Sequence, residues 1–434
     1  MEKIINKNNN EIAENNDDKS FKAKKQIISN LKSISYGKRE EHIKEDNVES
    51  ECDLSKGETK PLKQIALYIH IPFCQRKCNY CSFISFCNKM DKIDLYLDCL
   101  IKEMQLRAKS TYQLKSIYIG GGTPSILNEN QIKRLFNAIY DNFKIAENAE
   151  IIIEVNPNSV TKEKLQTYKK CGINRISVGI QSLSNKQLKV LGRLHNKQKA
   201  IETLKLITEC GFHNVNADLI FGLKGTNALK MKLWINKIKH YVTHFSIYSL
   251  MIEENTPFYD VYKNNKLKVL NENQSAKVYK KIVKTLSKNG FNRYEVSNFA
   301  KNGYESKHNQ TYWELSDYLG LGIAGHSFID NQRIANTEDF DTYINAINEN
   351  KLPNQTEWID NDKLKEEFIM LSLRESKGID LQKYQDEFNC DLQETKKKEI
   401  QLLKTLNLIK IENNHLFATD NGFLVLNQII LKLI

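Results

Sequence analysis

From Ile65 to Asn289 the sequence alternates short β-rich runs with longer amphipathic ones, an order that few folds accept. Strands are predicted at Ile65–Ile69, Ser116–Ile119, Glu150–Val155, Arg175–Val178, Val215–Ile220 and His244–Ser249. Helices are predicted near Asp91–Ala108, Asn128–Asn142, Lys162–Cys171, Lys197–Cys210, Leu229–Lys239 and Gln274–Asn289. Consecutive βαβ units connect with right-handed crossovers and build a parallel sheet. The regularity predicts an α/β fold with a partial parallel (βα)6 barrel. A doubly wound open sheet is the competing arrangement.

The flanks break this pattern. Residues 1–60 hold polar runs such as Asn8–Asn10, Asn15–Asp18 and Lys22–Lys25, with almost no aromatics. Such a segment buries too little apolar surface to offset chain entropy, so a disordered polar extension is expected. The barrel is expected over residues 61–300 and a connector over 301–355, where Tyr304–Phe328 is rich in Gly, Tyr and His. Residues 356–434 read as helical runs at Leu364–Arg374, Leu381–Phe388 and Thr395–Leu406, then a hairpin at Leu408–Ala418 turning at Asn413–Asn414. That order predicts a C-terminal winged-helix-like α+β domain.

Composition excludes several classes. No apolar run reaches the length of a membrane span, and Met1–Asn10 has no apolar secretory core. A cytoplasmic protein is expected, with organellar import as the alternative. The 64 basic and 53 acidic residues leave a net +11, an excess compatible with nucleic acid, anionic membrane or an anionic small molecule. Basic and acidic residues are interspersed without a stripe, so nucleic acid is not expected as a partner. Nine cysteines, an odd number in a large chain, argue against a secreted disulfide framework and for metal or redox chemistry.

Three of those cysteines, Cys74, Cys78 and Cys81, fall within eight residues just after the first strand. Thiolates at this density suit an iron–sulfur cluster or zinc. Three ligands leave one metal position open, as catalytic sites require. The alternative is a structural zinc knuckle with Cys87 as fourth ligand. Cys52, Cys99, Cys171, Cys210 and Cys390 stand singly and read as small apolar residues. Further chemistry-bearing residues end successive strands: Gly120-Gly121-Gly122-Thr123-Pro124 after the second, Glu154 at the third, Gln181 after the fourth and Asp218 at the fifth, with Arg193 between the last two. In (βα) barrels the strand C-terminal ends carry the chemistry.

The spacing Cys-x3-Cys-x2-Cys, with Tyr80 before the last cysteine, resembles the radical S-adenosylmethionine (SAM) superfamily. That resemblance implies a radical SAM barrel and a [4Fe–4S] cluster on Cys74, Cys78 and Cys81, with SAM on the fourth iron. Tyr68-Ile69-His70-Ile71-Pro72-Phe73-Cys74, the glycine motif, Glu154-Val155-Asn156-Pro157 and Asp218-Leu219-Ile220-Phe221-Gly222-Leu223 resemble the anaerobic coproporphyrinogen III dehydrogenases and their relatives. By that likeness Tyr68, Tyr80, Gly121, Gly122, Thr123, Glu154, Gln181, Arg193 and Asp218 match SAM-contacting positions. No catalytic residue is assigned.

Within that family the dehydrogenases carry a further cysteine two places after the triad, where this chain has Phe83. Cys78-Asn79-Tyr80-Cys81-Ser82-Phe83, Leu191-Gly192-Arg193-Leu194-His195 and His308-Asn309-Gln310-Thr311-Tyr312-Trp313 are similar to the HemW-type haem chaperone branch. The resemblance implies haem binding through His308 and transfer to a haem-accepting protein. It also implies an electron donor such as a flavodoxin or ferredoxin and membrane-surface contact during delivery. Imidazole is a good haem ligand, Tyr312 and Trp313 offer stacking faces, and Lys301 and Lys307 suit propionates. His195 and His326 are further candidates for a second haem ligand or SAM contact. Two other functions are weighed: oxygen-independent decarboxylation of coproporphyrinogen III, which Phe83 opposes, and radical SAM modification of RNA.

Overall fold

The computed structural model describes residues 62–434. The extension expected over residues 1–60 and Cys52 lie outside the described residues. From Lys63 the chain runs β1 (Lys63–Ile71), α1 (Ile93–Arg107), β2 (Tyr112–Gly121), α2 (Glu129–Asn142), β3 (Lys144–Val155), α3 (Lys162–Lys170), β4 (Arg175–Gln181), α4 (Asn185–Val190), α5 (Lys197–Glu209), β5 (Asn214–Phe221), α6 (Ala228–Ile238), β6 (His244–Ser249), α7 (Pro257–Lys263) and α8 (Glu272–Ser287). The six predicted strand–helix units are all present. Helices α4 and α7 are additions, too short to show an amphipathic period in sequence. Strands β1 to β6 pair in sequential order, each parallel to the next. Sequential order winds the sheet in one direction, which a doubly wound sheet does not do.

The strands show two unlike faces. Ile65, Leu67 and Ile69 of β1, Ile117 and Ile119 of β2, Ile151 and Ile153 of β3, and Ile176 and Val178 of β4 are buried in one core with Leu97, Leu135, Leu165 and Leu204 of the helices. Burying each such side chain is worth about 1.5–3 kcal/mol. The alternate positions are polar: His70, Ser116, Tyr118, Glu150, Glu154, Arg175, Ser177, Asn216, Asp218, His244 and Ser246. A strand of period two sends these to the opposite face, here the concave one.

After α8 come β7 (Asn292–Arg293), β8 (Asn298–Ala300), α9 (Lys307–Trp313), β9 (Tyr318–Leu321), β10 (His326–Ile329), β11 (Gln332–Asn336), α10 (Phe340–Asn348) and β12 (Asn354–Trp358). Strand β9 pairs parallel with β1, and β10–β12 continue antiparallel, giving the order β12-β11-β10-β9-β1-β2-β3-β4-β5-β6-β8-β7. The stretch read as a connector therefore adds short strands to the barrel sheet, along with helices α9 and α10. Leu319, Leu321, Phe340, Tyr343 and Ile347 join the barrel core. Strands of four or five residues carry too little pattern to be read from sequence.

The C-terminal part holds α11 (Asn361–Ser372), β13 (Ile379–Asp380), α12 (Leu381–Phe388), α13 (Leu392–Thr395), α14 (Lys397–Thr405), β14 (Ile409–Glu412), β15 (His415–Ala418) and α15 (Leu426–Leu433). The predicted hairpin is present, with Asn413 and Asn414 both at positive φ, +49° and +61°. Two such residues give a turn whose twist matches the strands. With β13 the hairpin makes a three-stranded antiparallel sheet over its own apolar core.

Glu103 of α1 fastens the added strands to the barrel. It is fully buried and accepts from Arg107 Nε at 3.0 Å, Asn336 Nδ2 at 2.7 Å, the Gly322 N–H at 2.8 Å and the Tyr343 hydroxyl at 2.7 Å. Removing one partner of a buried ion pair strands the other and costs about 3–5 kcal/mol. Glu103→Ala should lower unfolding stability by about that amount, measured by urea titration of the cluster-free protein.

Candidate functional site

The cysteine loop leaves β1 at its C-terminal end and is held by backbone on both sides. The Phe86 N–H donates to Pro72 O at 2.7 Å, and the Cys74 N–H to Phe86 O at 3.1 Å. His70 pins the loop from below, its Nε2 2.9 Å from Ile84 O and its Nδ1 3.0 Å from the Tyr68 hydroxyl. Burial lowers the His70 pKa to about 4, so the ring is neutral. The Asn79 N–H donates to Leu191 O at 3.1 Å, tying the loop to the segment after α4.

The three thiols meet different neighbours. Cys74 is 8 % exposed, with its Sγ 3.3 Å from Thr123 Oγ1. Cys78 accepts from Arg193 Nη1 at 3.6 Å. Burial and the neighbouring thiols push Cys81 up to about 11, so a metal there must displace its proton. Cys87 is exposed, and Phe83 is 65 % exposed beside the triad. Among the described residues no three His, Cys, Asp or Glu side chains converge on one ion position. Ligands of a cubane each hold a separate iron and need not converge.

The glycine motif turns directly over this loop. Gly121 has φ +107°, and a Cβ there would stand 2.6 Å from the His70 ring. At Gly122 a Cβ would meet Phe73 O at 2.7 Å. Neither position accepts another residue without displacing the cysteine loop. Gln181 ends β4 at φ +63°, where a register shift between Gly179 and Gln181 disturbs the pairing with β5. A bulge of this kind re-aims a side chain beside a site.

Three further residues close the rim. Arg193 donates to Gly179 O at 2.7 Å and also bonds Tyr80. Its Nε is buried and without a partner. Glu154 accepts from the Tyr118 hydroxyl at 2.6 Å, and burial raises its pKa to about 7. Asp218 accepts from Asn216 Nδ2 at 2.8 Å and from Ser177 Oγ at 3.4 Å, and burial raises it to about 6. Cys78, Thr123, Asn156 and Arg193 line a small cavity of about 20 Å³. The donor set fits a SAM-bearing cluster. It has three thiols, a glycine turn, an orphaned guanidinium nitrogen suited to a carboxylate and two carboxyls suited to an ammonium and hydroxyls.

His308 lies elsewhere. It sits on α9, whose start is held toward the N-terminal ends of the strands. Ser306 Oγ and the His308 N–H donate to Glu150 Oε1 at 3.3 and 3.0 Å, and Arg175 Nη1 donates to Glu150 Oε2 at 3.2 Å and to Tyr304 O at 2.9 Å. The His308 ring is 1 % exposed. Both its nitrogens are engaged, Nδ1 with Ser116 Oγ at 2.9 Å and Nε2 with the Tyr312 hydroxyl at 2.8 Å. Burial lowers its pKa to about 3. In this arrangement the ring offers no free nitrogen to an iron. His195 bonds Ile180 O through Nε2 at 3.1 Å and keeps an unpartnered buried Nδ1. His326 is on the exposed start of β10.

Sequence reading missed Tyr118. It precedes the glycine motif by two residues on the concave face, joining Glu154 to the His308 ring. Period-two spacing from Ser116 and Gly120 was the available signal.

Comparison with known proteins agrees with this geometry. The family model described as "Radical SAM superfamily" matches residues 68–238, and the one described as "HemN C-terminal domain" matches residues 359–425. "Heme chaperone HemW" of Lactococcus lactis subsp. lactis (strain IL1403) is 32 % identical over 371 residues, covering 85 % of this chain and 97 % of that one. "Heme chaperone HemW" of Bacillus subtilis (strain 168) is 33 % identical over 367 residues, covering 83 % and 97 %. The solved coproporphyrinogen III oxidase (HemN) of Escherichia coli superposes with a TM-score of 0.74 at 22 % identity, over 86 % of this chain and 91 % of that chain, a likeness of fold. The barrel and its cysteine loop are those of a radical SAM protein. Within that superfamily, the chain belongs to the HemW family.

The raised Glu154 pKa has a thermodynamic consequence. Its folded value of about 7 exceeds its ordinary value of 4.5, so folding takes up a proton between them. The group therefore favours the folded state toward the acid side of that window, and the contribution is lost as pH rises through about 7. Glu154→Gln keeps an acceptor for Tyr118 and removes the titration. It should flatten the dependence of Tm on pH across this window, read by calorimetry of the cluster-free protein. An unchanged slope would show that Glu154 is not so displaced.

Proposed function

We propose that this chain is a haem chaperone, holding a [4Fe–4S] cluster and SAM at the C-terminal rim of its barrel. It binds haem near α9 and passes it to a haem-requiring protein. Likeness to HemW proteins along nearly their whole length carries this reading. Phe83 in place of a fourth loop cysteine favours it over coproporphyrinogen decarboxylation. No helix among the described residues is long and apolar enough to cross a membrane. A cytoplasmic site of action fits, with a flavodoxin or ferredoxin as electron donor and a membrane surface met at delivery.

Cys74, Cys78 and Cys81 would hold the cluster. Tyr68, Tyr80, Gly121, Gly122, Thr123, Glu154, Gln181, Arg193 and Asp218 would hold SAM. Bound there, the pair supplies one-electron chemistry at the SAM sulfonium. The protein's share is placement. Arg193 bonds Cys78, and its buried Nε is without a partner and would suit a carboxylate. Glu154 and Asp218 would bond an ammonium or hydroxyls. For haem, His308 must first part from Tyr312 or Ser116, since both ring nitrogens are occupied. A shift of α9 away from Ser116 would free Nδ1, and a turn of the Tyr312 side chain would free Nε2, leaving Tyr312 and Trp313 as stacking faces for the porphyrin.

Two measurements test the proposal. Anaerobically reconstituted protein should carry about four irons per chain, and Cys78→Ala should lose them. One equivalent of zinc in their place would refute the cluster. Haem titration of the same protein should give a saturable absorbance band that His308→Ala weakens. Haem binding no tighter than to an unrelated basic protein would refute the chaperone reading. Incubation with coproporphyrinogen III, SAM and dithionite should yield no protoporphyrinogen.

A further inference from the structure

Tyr118 bridges the two ends of the barrel. Its ring centroid lies 5.0 Å from that of His308, with 34° between the planes. Its hydroxyl donates to Glu154 Oε1 at 2.6 Å. Tyr68 flanks it at 6.0 Å between centroids. A Cβ on Gly120 would stand 2.7 Å from the Tyr118 ring and 3.3 Å from the Glu154 carboxyl carbon. Tyr118 is thus packed on an imidazole at one end and bonded to a carboxylate at the other, with little space to move alone.

A second polar chain runs alongside. Asn216 Nδ2 donates to Asp218 Oδ1 at 2.8 Å, and Asn216 Oδ1 lies 2.7 Å from His244 Nδ1. His244 Nε2 is 2.8 Å from the Tyr294 hydroxyl. That hydroxyl accepts from the N–H of Ser306, the residue capping α9, at 3.3 Å. Both carboxyls of the rim are therefore wired to the helix that carries His308. Only the Tyr118 route ends on the His308 ring itself.

We infer that Tyr118 is a positioning residue that passes the state of Glu154 to α9, linking occupancy of the rim to release of His308 from the barrel floor. The inference rests on the proposed SAM site. Its direction follows from the bonds. A SAM ammonium or ribose hydroxyl that takes Glu154 Oε1 competes with Tyr118 for that oxygen. Tyr118 then loses its one side-chain hydrogen bond over the imidazole, the ring packs less firmly on His308, and α9 opens more often. By linkage, whatever draws His308 out of the floor favours SAM by the same factor.

Hydrogen exchange of the α9 amides, Lys307–Trp313, tests this on cluster-loaded protein, with and without SAM. Exchange of these amides tracks local opening. SAM should speed their exchange roughly fivefold, the size expected for the loss of one ordinary hydrogen bond. Tyr118→Phe, which keeps the ring and removes the hydroxyl, should speed exchange to a similar degree without SAM and leave SAM little further effect. Amides of α14 should stay unchanged in every state, and iron content and Tm should confirm that Tyr118→Phe is folded. Haem affinity should rise on adding SAM in the wild type and not in Tyr118→Phe.

The outcomes separate cleanly. SAM bound by equilibrium dialysis with α9 exchange unchanged or slowed overturns the inference and leaves the SAM site standing. A SAM effect that persists in full in Tyr118→Phe overturns the role of Tyr118. Absence of SAM binding refutes the proposed site itself. The SAM-free comparison of wild type with Tyr118→Phe then decides whether Tyr118 restrains α9.

Discussion

A buried polar group without a partner costs about 1–3 kcal/mol, and the concave face of this barrel is lined with polar side chains that need partners. The structure exists because they satisfy one another. Ser116 meets His308, Glu150 meets Arg175 and Ser306, Asn216 meets His244 and Asp218, and Tyr118 meets Glu154. The apolar half of each strand packs outward on the helices and supplies the burial energy. The polar half supplies a connected interior. Helix α9 completes that interior as much as it closes it, because Ser306 and His308 are the partners that Glu150 Oε1 and Ser116 Oγ would otherwise lack.

The same arrangement explains why the rim is chemically open and the floor is not. At the rim the bonds run short of partners: Arg193 Nε and His195 Nδ1 are buried and unpaired. Glu154 and Asp218 are shifted toward neutrality by burial. Ligand groups would relieve each of these costs. At the floor His308 has two partners, and Glu150 is paired with a guanidinium. His308 and Glu150 are satisfied without a ligand, so anything that binds either of them has to replace existing bonds.

Much of the fold was legible in sequence, for a physical reason. The six central strands and their helices carry strong periodicities, set by the need to bury one face of each. The cysteine triad, the glycine turn, Glu154, Gln181, Arg193 and Asp218 could be read because they fall at strand ends in order. Strands β9–β12 could not: they are short, and the pairing of β9 with β1 that joins them to the barrel links residues some 250 positions apart in sequence, such as Ala66 with Tyr318. Tyr118 was passed over because a tyrosine within a strand looks like ordinary packing until its two neighbours are placed.

His308 marks the boundary between the two kinds of knowledge. By itself the sequence determined that the chain builds a parallel βα barrel with three thiols at one strand end and a histidine–aromatic motif beyond it. Local periodicity and spacing suffice for that. Only the tertiary structure decided that the imidazole faces into the barrel, with Ser116 on one nitrogen and Tyr312 on the other. Which face of α9 meets the lumen depends on Glu150 and Arg175, over a hundred residues away, and on the cost of leaving them unpaired.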